Sequence, residues 1–341
     1  MKSRFLLFLL LLTSASSFAS TTNYVIFGDS LSDTDNYPEP SDVSKPKLDN
    51  FNLYVPISNP VPSEKYGTSD QQGYLFPTQD FLQQSIGEQG EIKGQQKQLY
   101  SINWPLYFIF NKEIASGQAP ALTSWYQLQK NPPGQVQSIN YAWGSALAEG
   151  EAGKCYHDNG SDYPGSCTSS SIMQQRALYQ EHTQDGSYDQ QHGYKFDDLE
   201  IPNLATQVSL YQEDSKRFGL NKADQKSTYI IYIGGNDIAK YLKSKLSVSG
   251  ISMFLTPQFD KKVPQKIKDQ VDNELVKPLV ASVQTQVQRL ISSAGKDDKI
   301  VLMTLPSLSN LHEGYTYWHV PVVGGNINRI LDYAVQSYNK G

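Results

Sequence analysis

The sequence predicts an α/β domain built on a parallel sheet with helices on both faces, and three observations predict it. Four short runs are apolar almost throughout and rich in β-branched or aromatic residues, as strands covered on both sides are. Between them apolar residues recur at helical spacing. Three of the runs end in glycine, at Gly28, Gly144 and Gly234-Gly235, where a chain leaving a sheet edge must turn sharply. With 341 residues, 38% hydrophobic and 18% charged, the chain is long and apolar enough for one such core.

In chain order, residues 1–19 read as an export signal. Lys2 and Arg4 precede the apolar run Phe5 to Leu12, and Ser17-Phe18-Ala19 supplies small residues at the cleavage point. The run is shorter than the roughly 18 residues that span a bilayer, so the expectation is a secreted or periplasmic product with no transmembrane segment. Tyr24 to Phe27 is the first strand. From Thr34 to about Leu99 the chain is rich in Pro, Asn, Ser, Gly and Gln, and is expected to form long loops. Ser138 to Trp143 is the second strand. Residues 149–198 are polar, without helical or strand period, and read as an inserted surface loop.

Regular pattern then returns. Leu204, Val208 and Tyr211 mark a helix that starts near Pro202, and Thr228 to Ile233 is the third strand. Ile267, Val271, Leu275, Val283, Val287, Leu290 and Ile291 mark a long helical face that Pro278 is expected to kink. Lys299 to Leu305, stopped by Pro306, is the fourth strand. Ile327, Ile330, Leu331, Ala334, Val335 and Tyr338 share one face of a last helix, residues 326–340.

Charge excludes some functions. Against 34 acidic residues stand 29 basic ones, and cleavage removes Lys2 and Arg4 and no acid, which takes the net charge from −5 to −7. No basic stripe invites nucleic acid. The two cysteines, Cys155 and Cys167, are expected to be bridged in an exported chain, adding on the order of 2–3 kcal/mol of stability. The loop they close is open to nicking by a protease, a partner the sequence allows. A metal reading of His157 with the two cysteines lacks a fourth ligand, so no metal is expected.

The chemistry gathers at strand ends. Gly28-Asp29-Ser30-Leu31-Ser32-Asp33 follows the first strand, and a serine on such a turn presents its hydroxyl over the sheet edge, as a nucleophile must. Ser30 or Ser32 could instead cap a helix. A calcium loop starting at Asp33, Asp35 and Asn36 is rejected, because Pro38 stands where Gly is needed and Ser44 where Glu is needed. Acyl transfer also needs oxyanion donors, which the Gly144 N–H and the Asn236 amide can supply. There is no nucleotide-binding glycine fingerprint, no P-loop and no G-x-S-x-G elbow.

These residues resemble the GDSL or SGNH hydrolases. Phe27 to Asp33 is similar to the first signature block of that family, Asn140-Tyr141-Ala142-Trp143-Gly144 to the second and Gly234-Gly235-Asn236-Asp237 to the third. The look is nearest to exported bacterial phospholipases A, lysophospholipases and glycerophospholipid–cholesterol acyltransferases. The resemblance implies a three-layer, flavodoxin-like fold over residues 20–341 and no cofactor. It implies Ser30 as nucleophile, and an oxyanion hole from the Ser30 and Gly144 N–H groups and the Asn236 amide.

Two features depart from the pattern. Asp35 stands where these relatives carry Gly, and no D-x-x-H block follows Asn236. The one D-x-x-H, Asp189 to His192, lies ahead of the third block, and neither His312 nor His319 has an Asp three residues before it. The catalytic histidine and acid are therefore unassigned, and the resemblance implies a chain that stops short of its last block. The expected activity is hydrolysis of a (lyso)phospholipid or other acyl ester through an acyl-enzyme, with a sterol as an alternative acceptor. A lipid- or glycan-binding chain without turnover and a carbohydrate deacetylase are the competing readings.

Overall fold

The structure is a computed structural model that describes residues 22–29, 31–34, 36–37, 104–105, 122–130, 132, 138–156, 165–184, 199–220, 226–245, 262–305 and 321–341. The expected export signal, most of the 34–99 stretch, Ser30, Asp35, His157, Asp189, His192, His312 and His319 lie outside the described residues.

Five strands form one sheet: β1 (Thr22–Gly28), β2 (Leu122–Ser124), β3 (Ser138–Asn140), β6 (Lys226–Tyr232) and β7 (Lys299–Leu302). Their order is β2-β3-β1-β6-β7 and every pair is parallel. A smaller antiparallel pair joins β4 (Cys155–Tyr156) to β5 (Ile201–Pro202). The chain steps from β1 to β3 on one side and later to β6 on the other. That reversal at β1 is where an open parallel sheet leaves a crevice beyond its strand ends.

The helices are α1 (Trp125–Lys130), α2 (Ser169–Gln184), α3 (Leu204–Phe218), α4 (Gly235–Lys245), α5 (Gln265–Val271), α6 (Lys277–Ser293) and α7 (Pro321–Tyr338). Alternation sorts the strand residues between two cores. Val25, Phe27, Ile139, Tyr229 and Ile231 face the helices, in one cluster with Leu204, Val208, Ile238, Leu279 and Ile330. Tyr24, Ile26 and Ile230 point the other way, with Leu122, Ala142, Trp104 and Met303. The mostly parallel α/β sheet read from the sequence is present.

Three expectations change. The 149–198 segment is not irregular throughout: it holds β4 and the 16-residue helix α2. Serine- and glutamine-rich, α2 has almost no apolar stripe, so its helical period could not be read. It is held instead by Ile172 in the core and by buried Arg176, whose Nε donates to the Asn36 carbonyl at 3.0 Å. At Pro278 the long helix is widened rather than simply bent. A π segment, Asp272–Val276, separates α5 from α6, because proline has no N–H to return to the preceding turn. The second strand is regular only to Asn140, whose own side chain takes the Ala142 N–H at 2.9 Å, while the Tyr141 and Trp143 N–H groups still reach the Ile26 and Gly28 carbonyls of β1. Among the described residues no helix is long and apolar enough to cross a membrane.

The β1 end is fastened from α3. Asn203 caps that helix by accepting from the Thr206 N–H at 2.8 Å, and Gly219 closes it in the left-handed conformation. One turn in, the fully buried Gln207 accepts from the Gly28 N–H at 3.0 Å and donates to the Gly28 carbonyl at 2.9 Å. Gln207→Ala strands the Gly28 N–H, while the carbonyl keeps the Trp143 N–H at 3.0 Å, so a loss of about 1–3 kcal/mol in urea unfolding is expected. A loss below about 1 kcal/mol would show that solvent reaches Gly28.

Candidate functional site at the carboxyl edge of the sheet

Gly28 ends β1 pressed against β6. A Cβ there would lie 2.4 Å from the Tyr232 carbonyl oxygen, a backbone atom that cannot give way, so only glycine fits. The chain then turns. The Asp29 carbonyl accepts from the Ser32 and Asp33 N–H groups at 2.9 and 3.0 Å, and its carboxylate accepts from the Leu31 N–H at 3.1 Å. Ser30 lies within this turn and outside the described residues. Ser32 is fully buried and its hydroxyl accepts from the Trp104 indole N–H at 3.0 Å.

Asp33 ties this turn to the next strand end. Its carboxylate accepts from the N–H groups of Asn36 (2.8 Å), Tyr37 (2.9 Å) and Gly144 (2.7 Å). Asn36 continues the tie, with its amide donating to the carbonyls of Asn140 and Ala142 and accepting from the Tyr126 N–H. Asn140 donates back to the Ser32 carbonyl and the Thr34 hydroxyl. Asp33 and Asn36, which opened the rejected calcium loop, are thus spent on backbone groups. Arg176 reaches the same place from α2, with its guanidinium 3.2 Å above the Tyr126 ring.

The expected oxyanion donors differ in what is left to them. The Gly144 N–H is committed to Asp33, a hydrogen bond that takes it away from the sheet edge. Asn236, half-buried in the first turn of α4, gives one amide hydrogen to the Ala146 carbonyl at 3.0 Å. A primary amide carries two, so the second remains for a ligand. Asp237 beside it accepts from the Ala148 and Glu149 N–H groups at 2.9 and 3.0 Å. Residues 144–149 are therefore held from both sides, and Ser145 between them takes φ 61°, a left-handed backbone rare for serine and of the kind found at functional turns. The sequence reading placed Asp33 and Asp237 in motifs without giving them a role, and did not single out Ser145 or Gln207. The repeated pairing of a strand-end glycine with a nearby Asp was the available signal.

The edge is acidic and largely buried. Burial pushes the Asp29 carboxyl up to about 7; the Leu31 hydrogen bond opposes this and the charge of Asp237 adds to it. Burial also raises Asp237, and half-burial followed by the Asp237 charge raises Glu149. Tyr338, on α7, packs its ring against Gly234, whose φ of 115° only glycine takes readily, and donates to the Ile233 carbonyl at 3.0 Å. Its phenol is raised by burial and then by the Asp237 and Asp29 charges. Among the described residues no three metal-ligating groups meet at this edge. No histidine side chain is among those described, His182 being placed only by its backbone in α2.

No known family model matches the chain, and no curated protein matches it.

Asp29 makes stability depend on pH. Its folded pKa of about 7 lies above its unfolded value, so the folded protein keeps a proton that the unfolded chain releases. The penalty is absent below about pH 4 and grows as pH rises towards about 7. Asp29→Asn keeps the acceptor for Leu31 and removes the charge. Its urea midpoint is expected to gain on the parent between pH 5 and pH 8, and parallel curves would refute the buried acid.

Proposed function

We propose that the chain is an exported serine ester hydrolase of the GDSL or SGNH type, with Ser30 as nucleophile and the Asn236 amide as an oxyanion donor. The observation that carries this reading is the meeting of three motif-bearing strand ends. β3, β1 and β6 are neighbours in the sheet, so the turn after Gly28, the turn at Gly144-Ser145 and the first turn of α4 lie along one edge. The first and third turns thus share one edge, as acyl transfer requires of the turns that carry a nucleophile and its oxyanion donor.

Two details refine it. With Ser32 buried and accepting from Trp104, Ser30 is the serine of the turn available for chemistry. With the Gly144 N–H bound to Asp33, the hole relies on Asn236 and on the positive end of α4. The proton of Ser30 passes to a base still to be identified; His312 and His319 are the first candidates, with His192 after them. The three-layer fold of the family, the acyl-ester or (lyso)phospholipid substrate and export belong to the same proposal. The bridged Cys155–Cys167 pair supports export, because such bonds persist in oxidising compartments.

The test measures turnover of a short-chain nitrophenyl ester and a lysophospholipid by the purified protein. Ser30→Ala is expected to abolish it with folding intact. Asn236→Ala is expected to lower kcat by roughly 10²–10³-fold with a smaller change in KM, as for one lost oxyanion donor. Turnover kept by Ser30→Ala would overturn the nucleophile, and a change confined to KM would overturn the role of Asn236. A parent protein that binds lipid or glycan without turnover would replace the hydrolase reading.

A further inference from the structure

The antiparallel β4–β5 pair does more than anchor the insertion. Its register sets Cys155 opposite Pro202, which carries Glu200 to the cysteine pair. The sulfurs of Cys155 and Cys167 and a carboxylate oxygen of Glu200 lie within 4.8 Å of one another. All three residues are buried, Glu200 being 2% exposed. Its Oε2 has no hydrogen-bond partner. A buried carboxylate oxygen without a donor is costly, and in native proteins such an orphan calls for an ion or a water. The disulfide beside it is neutral and has no hydrogen to give.

We propose that Cys155, Cys167 and Glu200 form a binding site for a zinc-class divalent cation in the dithiol form of the chain, as the alternative to the disulfide. A dithiol reductant gives two electrons and two protons to the Cys155–Cys167 bond and is itself oxidised to a disulfide. Binding the cation then sends the two thiol protons to solvent and leaves two thiolates and one carboxylate around a double positive charge. Tetrahedral zinc, with sulfur at about 2.3 Å and oxygen at about 2.1 Å, needs ligand atoms about 3.5–3.8 Å apart, with water as the fourth ligand. The bridged residues have Cα atoms 5.2 Å apart and Glu200 is already beside them, so modest side-chain rotation meets that requirement. The ion closes the same 12-residue loop as the disulfide, and gives the Glu200 oxygen the partner it lacks.

The site is independent of the hydrolase reading, and its test uses no substrate. The full chain, reduced with a phosphine and kept without oxygen, is titrated with Co²⁺ and then with Zn²⁺. One equivalent of Co²⁺ is expected, with a near-ultraviolet thiolate charge-transfer band and the visible bands of a tetrahedral site, both erased by Zn²⁺. The oxidised chain is expected to show neither. Glu200→Gln, which keeps shape and both thiols, is expected to weaken binding at least about ten-fold, the scale of losing one well-placed partner. Zn²⁺ is expected to raise the Tm of the reduced parent and not of the oxidised one. No charge-transfer band in the reduced parent, equal binding by Glu200→Gln, or equal binding by the oxidised chain would each overturn the proposal.

Discussion

Three backbone N–H groups point at one buried carboxylate. Asp33, closed off from solvent, accepts from Asn36, Tyr37 and Gly144, and so joins the turn after β1 to the turn after β3. A carboxyl group in such a place is tolerated because hydrogen bonds from the backbone replace its water. Remove it and three amides lose their acceptor together. Asn36 and Asn140 share the same tie, since Asn36 bridges from the turn after β1 to the end of β3 and Asn140 bridges back to that turn. The carboxyl edge of the sheet keeps its shape through this knot of polar side chains, with the apolar core below it.

That constraint decides which groups are left for a ligand. The Gly144 amide is used up in holding the edge together, while Asn236 has one hydrogen in the structure and one to spare. Asp237 spends both oxygens on residues 148 and 149. The cost of crowding acids here falls on Asp29. Its carboxyl is buried near Asp237, and the backbone N–H groups that reach it, Leu31 foremost, do not offset that burial, so it holds its proton up to about pH 7. A neutral Asp29 at the turn after β1 donates where an ionised one could only accept.

The insertion is part of this edge. Cys155–Cys167 fixes the foot of α2, and two turns along that helix Arg176 enters the protein to meet the Asn36 carbonyl and the Tyr126 ring. Arginine suits the position because its planar cation stacks and donates at once. A segment that reads as polar filler thereby braces the loop on which Asp33 and Asn36 lie.

The sequence by itself determined the parallel α/β sheet, four of its five strands though not where two of them stop, the helices under Leu204, Ile267 and Ile330, and the pairing of Cys155 with Cys167. Each of those rests on local pattern: apolar runs, a 3.6-residue period, a glycine at a turn, two cysteines in one short loop. Only the tertiary structure decided that Asp33 occupies the Gly144 amide, that Gln207 grips Gly28, that Arg176 anchors a polar helix to the core, and that Glu200 meets the cysteine pair. These are contacts between polar side chains and backbone groups far apart in the chain. The period of a sequence records which face of an element is buried, and carries no record of which distant N–H or carbonyl a buried polar group will find.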